Sequence, residues 1–195
     1  MDTYFSCDLR DLLIDRIKKL FAPYVLDFES HIKLDACFEI LRTMRKADSM
    51  CVIKTWVNGW ATTYRYHEPT LYPCLFGCHA KPDDLSHYVQ CPHLYAMCKF
   101  LRGHVSDDPL IRLGLVHPSA DIFKHMVCVF AGYHAMRNAT RRGEHSLHDA
   151  ELCNRQIWRL WSVFAEAYSA EAREHAISDR KFSLPQFFSF LADLG

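Results

Sequence analysis

The sequence predicts an all-α fold, interrupted by one small insert without helical periodicity. Apolar residues recur at helical spacing over most of the 195 positions, and no segment shows the sustained alternation of a strand. Half of the residues are hydrophobic, which is enough for a sizeable core. We therefore expect an N-terminal helical segment over 1–66, an insert over 67–98 and a C-terminal helical segment over 99–195.

Two helical regions are predicted before the insert. An amphipathic helix covers residues 4–21 and is ended by Pro23, since proline breaks a helix interior. A longer helical region covers residues 29–65, with an interruption or kink at Gly59. Trp56 and Trp60 both fall on its apolar stripe, which favours a place in the core over stacking on exposed bases.

After the insert, helical spacing resumes with recognisable start and stop signals. Pro92 suits the first position of a helix, and Ser119 or Asp121 can cap a longer one that Gly143 ends. Pro185 opens the last helix. The predicted segments, in order, are 93–102, a short apolar turn over 110–116, 121–141, 147–175 and 186–193.

The insert contains three cysteines and one histidine at the spacing of metal ligands, Cys74-x3-Cys78-x8-His87-x3-Cys91. Zinc binds four such ligands tetrahedrally, and a site without an open position is structural rather than catalytic. The sequence thus predicts a helical domain with a small zinc-stapled insert, similar to a zinc knuckle, in which Zn²⁺ is a structural cofactor.

Neighbouring residues support this spacing. Gly77 suits a tight turn that needs positive φ. Asp83 or Asp84 can cap a short helix that carries His87 and Cys91 on one face. Two alternatives stay open: the cysteines can be ordinary buried core residues, or other side chains can complete the site, namely His79, His93 and Cys98.

Composition limits the classes of protein to which the chain can belong. The 23 Lys and Arg residues are balanced by 23 Asp and Glu residues, so the formal net charge is zero. This balance argues against nucleic-acid binding driven by overall charge, but a local basic patch is still possible. Most cysteines are dispersed in helical patterns, as is typical of reduced intracellular thiols. No apolar run is long enough for a membrane span, and the first residues do not resemble a secretory signal. We expect an intracellular protein, in the nucleus or the cytoplasm, that does not enter a membrane.

The sequence contains no recognisable catalytic constellation. Glycine-rich phosphate loops and nucleophile turns are both absent from it. We therefore expect that the chain is not an enzyme, unless it is a fragment of a longer polymerase polypeptide.

The residues around the cysteines resemble the zinc-binding region at the C-terminal end of reverse transcriptases from non-LTR retrotransposons. The resemblance covers about residues 45–100, and two departures stand out. The first cysteine spacer has three residues where the family usually has two, and the aromatic-x-Asp-Asp signature of the polymerase is absent. The only Pro-Asp pair, Pro82-Asp83, lies inside the segment 74–91 that carries the four predicted ligands, the metal loop. Nuclease activity is therefore not expected either. The matching residues are Trp60, Thr63, Arg65, Cys74, Cys78, Asp84, His87 and Cys91.

This resemblance implies a module that contacts RNA or DNA. The expected phosphate-contacting residues lie on the segment that leads into the metal loop: Arg45, Lys46, Lys54 and Arg65. A second hypothesis is a domesticated structural or protein-interaction domain, whose zinc site only holds helices together. The neutral net charge favours that second hypothesis, and the oligomeric state stays open.

Overall fold

The computed structural model describes residues 9–21, 32–78, 81–142 and 150–193. Within these ranges the chain forms nine helices and no strand, apart from one isolated bridge between Pro73 and Pro82, so the prediction of an all-α fold is confirmed. The helices are α1 (Leu9–Phe21), α2 (Leu34–Thr43), α3 (Lys46–Trp56), α4 (Leu85–Tyr88), α5 (Pro92–Arg102), α6 (Pro109–Arg112), α7 (Ala120–Arg141), α8 (Ala150–Glu174) and α9 (Leu184–Ala192).

The two longest helices, α7 and α8, form an antiparallel pair. His125 near the start of α7 contacts Tyr168 late in α8, with 2.8 Å between the ring Nδ1 and the hydroxyl oxygen. Further along α7, Gly132 faces Phe164, which precedes Tyr168 in α8. A Cβ atom at Gly132 would lie 2.5 Å from the Phe164 ring, so a glycine is needed for this close approach.

Helix α3 packs on the outer side of α7, and α1 packs on α3. The fully buried Trp56 meets Phe123 of α7 edge to face at 5.6 Å, and its Nε1 donates to the Leu113 carbonyl at 3.0 Å. Trp60 is also buried, and its Nε1 donates to Thr55 Oγ1 at 2.9 Å. The prediction that both tryptophans belong to the core is confirmed.

The single helical region predicted over 29–65 is wrong, because the described part of it forms two helices. Met44 and Arg45 take extended backbone conformations between α2 and α3. The Leu41 carbonyl at the end of α2 accepts from the Met44 amide at 3.2 Å and from the Ser49 hydroxyl at 2.8 Å, which ties the end of α2 to α3. Helix α3 ends at Trp56 rather than bending at Gly59, and Asn58 follows with a φ of 57°.

The helices after the insert match their predicted positions closely. Ser119 caps α7 by accepting a hydrogen bond from the Ile122 amide at 3.2 Å, whereas Gly143 lies outside the described residues, as do residues 4–8 of the first predicted helix. Phe100 of α5 packs edge to face on Phe187 of α9 at 5.2 Å. One cluster of buried residues draws members from all three predicted segments.

No helix in the described part of the chain is long and apolar enough to cross a membrane.

Candidate metal centre and its surroundings

The four predicted ligands come together in space. The ligand atoms of Cys74, Cys78, His87 and Cys91 all lie within 4.8 Å of one another. The Cys91 sulfur lies 3.8 Å from that of Cys74 and 3.5 Å from that of Cys78. A tetrahedral ion with metal–sulfur bonds of about 2.3 Å separates its sulfur ligands by about 3.8 Å. The four side chains can therefore form a metal site.

A tight turn delivers the first two cysteines. The Gly77 amide donates to the Cys74 carbonyl at 3.0 Å, and Gly77 has a φ of 85°, as its predicted role in the turn requires. A Cβ atom at this glycine would also lie 2.8 Å from the Cδ1 of Ile157 in α8. The Cys74 amide donates to the Lys81 carbonyl at 2.8 Å, which closes the base of the loop.

His87 and Cys91 do not share a helix, and this part of the prediction is wrong. His87 lies in α4, which ends at Tyr88, whereas Cys91 is the N-cap of α5. Cys91 has extended backbone angles because Pro92 disfavours the helical conformation in the residue before it. Its sulfur accepts a hydrogen bond from the Leu94 amide at 3.4 Å. Burial raises the pKa of the Cys91 thiol by more than this hydrogen bond lowers it.

The three thiols differ in their pKa values. Hydrogen bonding with Cys91 is the largest influence that lowers the pKa of Cys74 to about 4 and that of Cys78 to about 6. Burial raises the pKa of Cys91, and its contacts with the other two sulfurs raise it further. Two of the three thiols are therefore readily ionised, and a cation would neutralise them. The Nε2 atom of His87 is buried without a hydrogen-bond partner among the described residues, which also fits a metal ligand.

Two of the three alternative ligands, His93 and Cys98, do not join this group. Nδ1 of His93 lies 2.7 Å from the Phe76 carbonyl oxygen, and Cys98 is buried in α5, where burial raises the pKa of its thiol to about 12. His79 lies outside the described residues. The seven described cysteines are free thiols without a disulfide among them, in keeping with their dispersed spacing.

Asp83 has a different place from the one predicted. It is fully buried and does not cap α4, which begins after Asp84. Its Oδ2 accepts from the Thr63 amide at 2.7 Å and from the Thr63 hydroxyl at 3.0 Å. Its Oδ1 accepts from the hydroxyls of Tyr88 at 2.7 Å and Tyr133 at 3.0 Å. Asp83 thus joins the metal loop to α4, to the segment after α3 and to α7.

Other buried groups strengthen this junction. The Arg137 guanidinium, 1% exposed, lies 3.9 Å from Asp83 and donates to the Ala61 carbonyl at 3.1 Å. The Trp60 and Tyr133 rings contact each other with their centres 4.6 Å apart and their planes tilted by 31°. Sequence reasoning missed this role of Asp83 because its four donors come from three separate stretches of chain. From the sequence alone, Asp83 and Asp84 both have the pattern of a helix cap.

Arg45, a predicted phosphate contact, lies in a cluster of acids. Its guanidinium donates to Asp48 at 2.7 Å. It also donates to two acids of α8, Glu171 at 3.2 Å and Glu174 at 2.5 Å. Asp48, Glu171 and His175 bring their ligand atoms within 4.8 Å of one another, as a metal site would. Arg45 contacts all three of these residues, so the cluster already has its cation.

The other three predicted phosphate contacts are exposed. Lys54 and Arg65 lie on either side of Gly59, whose amide donates to the Lys54 carbonyl and whose carbonyl accepts from Arg65 at 3.4 Å. The Lys54 ammonium stands 6.0 Å from the centre of the Phe130 ring. In the described part of the chain, none of Lys46, Lys54 and Arg65 pairs with a carboxylate. Their contact with phosphate stays a prediction.

Comparison with known proteins adds no relative to this picture. No protein-family model matches the chain, and neither a curated protein nor a solved structure matches it.

Proposed function

We propose that this chain is a zinc-stapled helical module that contacts nucleic acid and has no catalytic activity of its own. The observation that carries the proposal is the convergence of three sulfurs and one imidazole, within 4.8 Å, from a turn, a short helix and a helix cap. The motif resemblance to the C-terminal region of retrotransposon reverse transcriptases supports the nucleic-acid part. Such a module would act inside the cell, in the nucleus or the cytoplasm.

Zinc suits this donor set better than other common metals. Thiolates are soft ligands, and a closed set of sulfur and nitrogen donors in tetrahedral arrangement is typical of structural zinc. The Cys91 sulfur lies 3.8 Å from that of Cys74 and 3.5 Å from that of Cys78, close to the separation of about 3.8 Å in a tetrahedral zinc site. Zinc bound there would fix the turn that contains Gly77 and would hold α4 against the start of α5.

Nucleic-acid contact is supported by the exposed cations at the C-terminal end of α3 and in the segment after it. Lys54 and Arg65 flank Gly59 and lack carboxylate partners within the described residues, so their charges are available to phosphates. Arg45 contributes less to this surface than the sequence predicts, because three acids already neutralise it.

A purely structural or protein-interaction domain is the second candidate. Two observations favour it: the net charge is zero, and Trp56 and Trp60 are buried and cannot stack on bases. In that case the zinc site would serve only the fold.

The metal part is tested by metal analysis of purified protein. We expect about one zinc per chain, with Zn–S distances of about 2.3 Å by X-ray absorption. Cys91→Ala and His87→Ala should lose the metal and loosen the insert, while the long helices keep part of their circular dichroism because they have their own apolar faces. Cys98→Ala is the matched control and should retain the metal. Metal-free protein of undiminished stability would refute the zinc site.

The nucleic-acid part is tested by titration with single-stranded and duplex RNA and DNA at several salt concentrations. Each lost phosphate contact should lower the salt slope by about one and weaken all sequences alike. Lys54→Ala is the informative variant, and Arg42→Ala is its control, since Arg42 is exposed but pairs with Glu39. Absence of binding at about 50 mM salt would favour the protein-interaction domain.

A further inference from the structure

Exposed tyrosines mark the segment between α3 and the metal loop. Most large aromatic side chains of the described chain are buried, yet Tyr64 and Tyr66 are 53% and 51% exposed. Leu71, a few residues further along, is 55% exposed. The patch lies at the base of the metal loop and contains none of the buried tryptophans.

Two guanidinium groups lie over the Tyr66 ring. The Arg65 guanidinium carbon lies 5.4 Å from the centre of the Tyr66 ring, and that of Arg141 lies 5.7 Å from it. Arg141 comes from the last turn of α7, so the two cations reach the ring from different elements. The two cations contact the ring, while about half of the Tyr66 surface stays exposed to solvent.

The charge around this ring is positive. Glu68, the nearby acid, binds both Arg137 and Arg141, so its charge is already shared between two cations. Arg65 has no carboxylate partner among the described residues. An anionic group that approaches Tyr66 would therefore meet an excess of positive charge.

The backbone of this segment is fixed by short-range hydrogen bonds. The Tyr66 amide donates to the Thr62 carbonyl at 3.2 Å, the Arg65 amide to the Thr62 hydroxyl at 3.2 Å and the Glu68 amide to the Thr63 carbonyl at 3.1 Å. Thr63 is itself bonded to the buried Asp83. The backbone that carries Tyr66 and Arg65 is thus ordered before any ligand binds, which reduces the entropy cost of binding.

Helix α7 extends the positive surface towards α3. Phe130, under the Lys54 ammonium, and Arg141, beside Tyr66, lie eleven positions apart on α7, which is about 16 Å along the helix. Lys54 and Arg65 are both adjacent to Gly59. A strand with several phosphates can span this distance, since stacked nucleotides rise about 3.4 Å each.

We infer that Tyr66, flanked by Arg65 and Arg141, is a stacking platform for single-stranded nucleic acid, with one unpaired base on the ring and its neighbouring phosphates on the arginines. The inference rests on the proposed function and specifies its ligand. A duplex is excluded from this contact because its bases are already stacked, whereas an unpaired base offers its face to an aromatic ring. Charge complementarity favours this ligand over an uncharged apolar one.

The test uses fluorescence anisotropy with labelled oligo-uridine and oligo-deoxythymidine of about 12 nucleotides, and with a duplex of the same length. Tyr66→Ala should weaken binding of both single strands by about 5- to 160-fold, which is the usual effect of one lost base stack, with little change in the salt slope. Tyr66→Phe should bind like the native chain, because it keeps the ring. Arg65→Ala should lower the salt slope by about one.

Two controls separate stacking from folding. Tyr66→Leu keeps apolar bulk without the ring and should bind as weakly as Tyr66→Ala. Tyr64→Ala removes a neighbouring tyrosine for which the structure shows no arginine contact, and it should leave binding unchanged. All variants are compared at matched zinc content and circular dichroism.

The outcomes distinguish this inference from the function on which it rests. If Tyr66→Ala and Tyr66→Leu bind like the native chain while Lys54→Ala binds more weakly, the platform is refuted and nucleic-acid binding survives. If the native chain binds the duplex as tightly as the single strands, the platform is also refuted. If the native chain binds none of the probes but binds an acidic peptide, both proposals fail in favour of a protein partner.

Discussion

Asp83→Asn is the sharpest test of how the metal loop is attached to the helices. The substitution keeps the size of the side chain but removes the charge and one acceptor oxygen. The Thr63 amide can only donate, so the remaining oxygen must stay on that side. The new amino group then faces the hydroxyls of Tyr88 and Tyr133, which both donate to Asp83. Tyr88 cannot turn freely, because its hydroxyl also accepts from the Leu75 amide at 3.1 Å.

The cost follows from these contacts. Two hydrogen bonds to a charged acceptor are lost, each worth about 1.5–3 kcal/mol, and the hydroxyls recover part of that by accepting from the amide. Arg137, 1% exposed, loses a carboxylate at 3.9 Å. We expect a loss of about 3–5 kcal/mol in the free energy of unfolding, a large part of the total of about 5–15 kcal/mol for a typical domain.

Urea unfolding of the zinc-loaded protein measures this loss. With an m-value of about 2 kcal/mol/M, the midpoint should fall by about 2 M. Tyr133→Phe alone should cost about 1–2 kcal/mol, and the double variant should cost less than the two single changes added together, because they remove the same bond. Asp35→Asn is the control, since Asp35 is 83% exposed and pairs with Arg10 only at 3.6 Å.

The reasoning fails if Asp83→Asn destabilises no more than Asp35→Asn does. It also fails if the effects of Asp83→Asn and Tyr133→Phe simply add.

Two further predictions concern the core. Trp56→Ala should lower the free energy of unfolding by about 3–5 kcal/mol, because removal of the fully buried ring leaves a cavity. Met50→Ala is the control, since Met50 is 49% exposed on the same helix and its removal should change the stability little. Urea unfolding measures both variants, and an unaltered stability of Trp56→Ala would contradict a core role. Burial, helped by the charges of Arg102 and Arg112, lowers the pKa of His125 from 6.5 to about 3. The unfolded chain therefore binds one more proton than the folded chain between about pH 3 and 6.5, so this histidine makes the native chain lose about 1.4 kcal/mol of stability per pH unit as the pH falls through that window. Urea midpoints measured across this pH range give the slope of stability against pH. The contribution of His125 to that slope should disappear in His125→Gln and remain in His117→Gln, a control at an exposed position. A difference in stability between the native chain and His125→Gln that stays constant at all pH values would overturn the assignment.

The sequence by itself determined the features that depend on neighbouring residues. The helical period of apolar residues predicted α5 and α7 closely, and the Ser119 cap was recognisable because a cap bonds within three residues. The four side chains that could hold a metal ion were predicted from their types and spacing, since short loops bring such side chains together. Gly77 was assigned to its turn for the same local reason.

Some of the predictions that failed involve a partner distant in sequence. The break between α2 and α3 contains neither proline nor glycine. There Arg45 binds Glu171 and Glu174, more than a hundred residues away. The same partners neutralise the charge of Arg45. The position of Arg45 in a basic stretch of sequence could not indicate this neutralisation.

Only the tertiary structure determined the surroundings of Asp83 and Tyr66. A carboxylate after proline near a helix start has the pattern of a cap, and only the arrival of Tyr133 from α7 makes Asp83 a buried acceptor. Tyr66 becomes a flanked, open ring because Arg141 reaches it from the end of α7. The physical reason is common to both: periodicity and capping act over a few residues, whereas burial and charge pairing depend on which distant elements pack together.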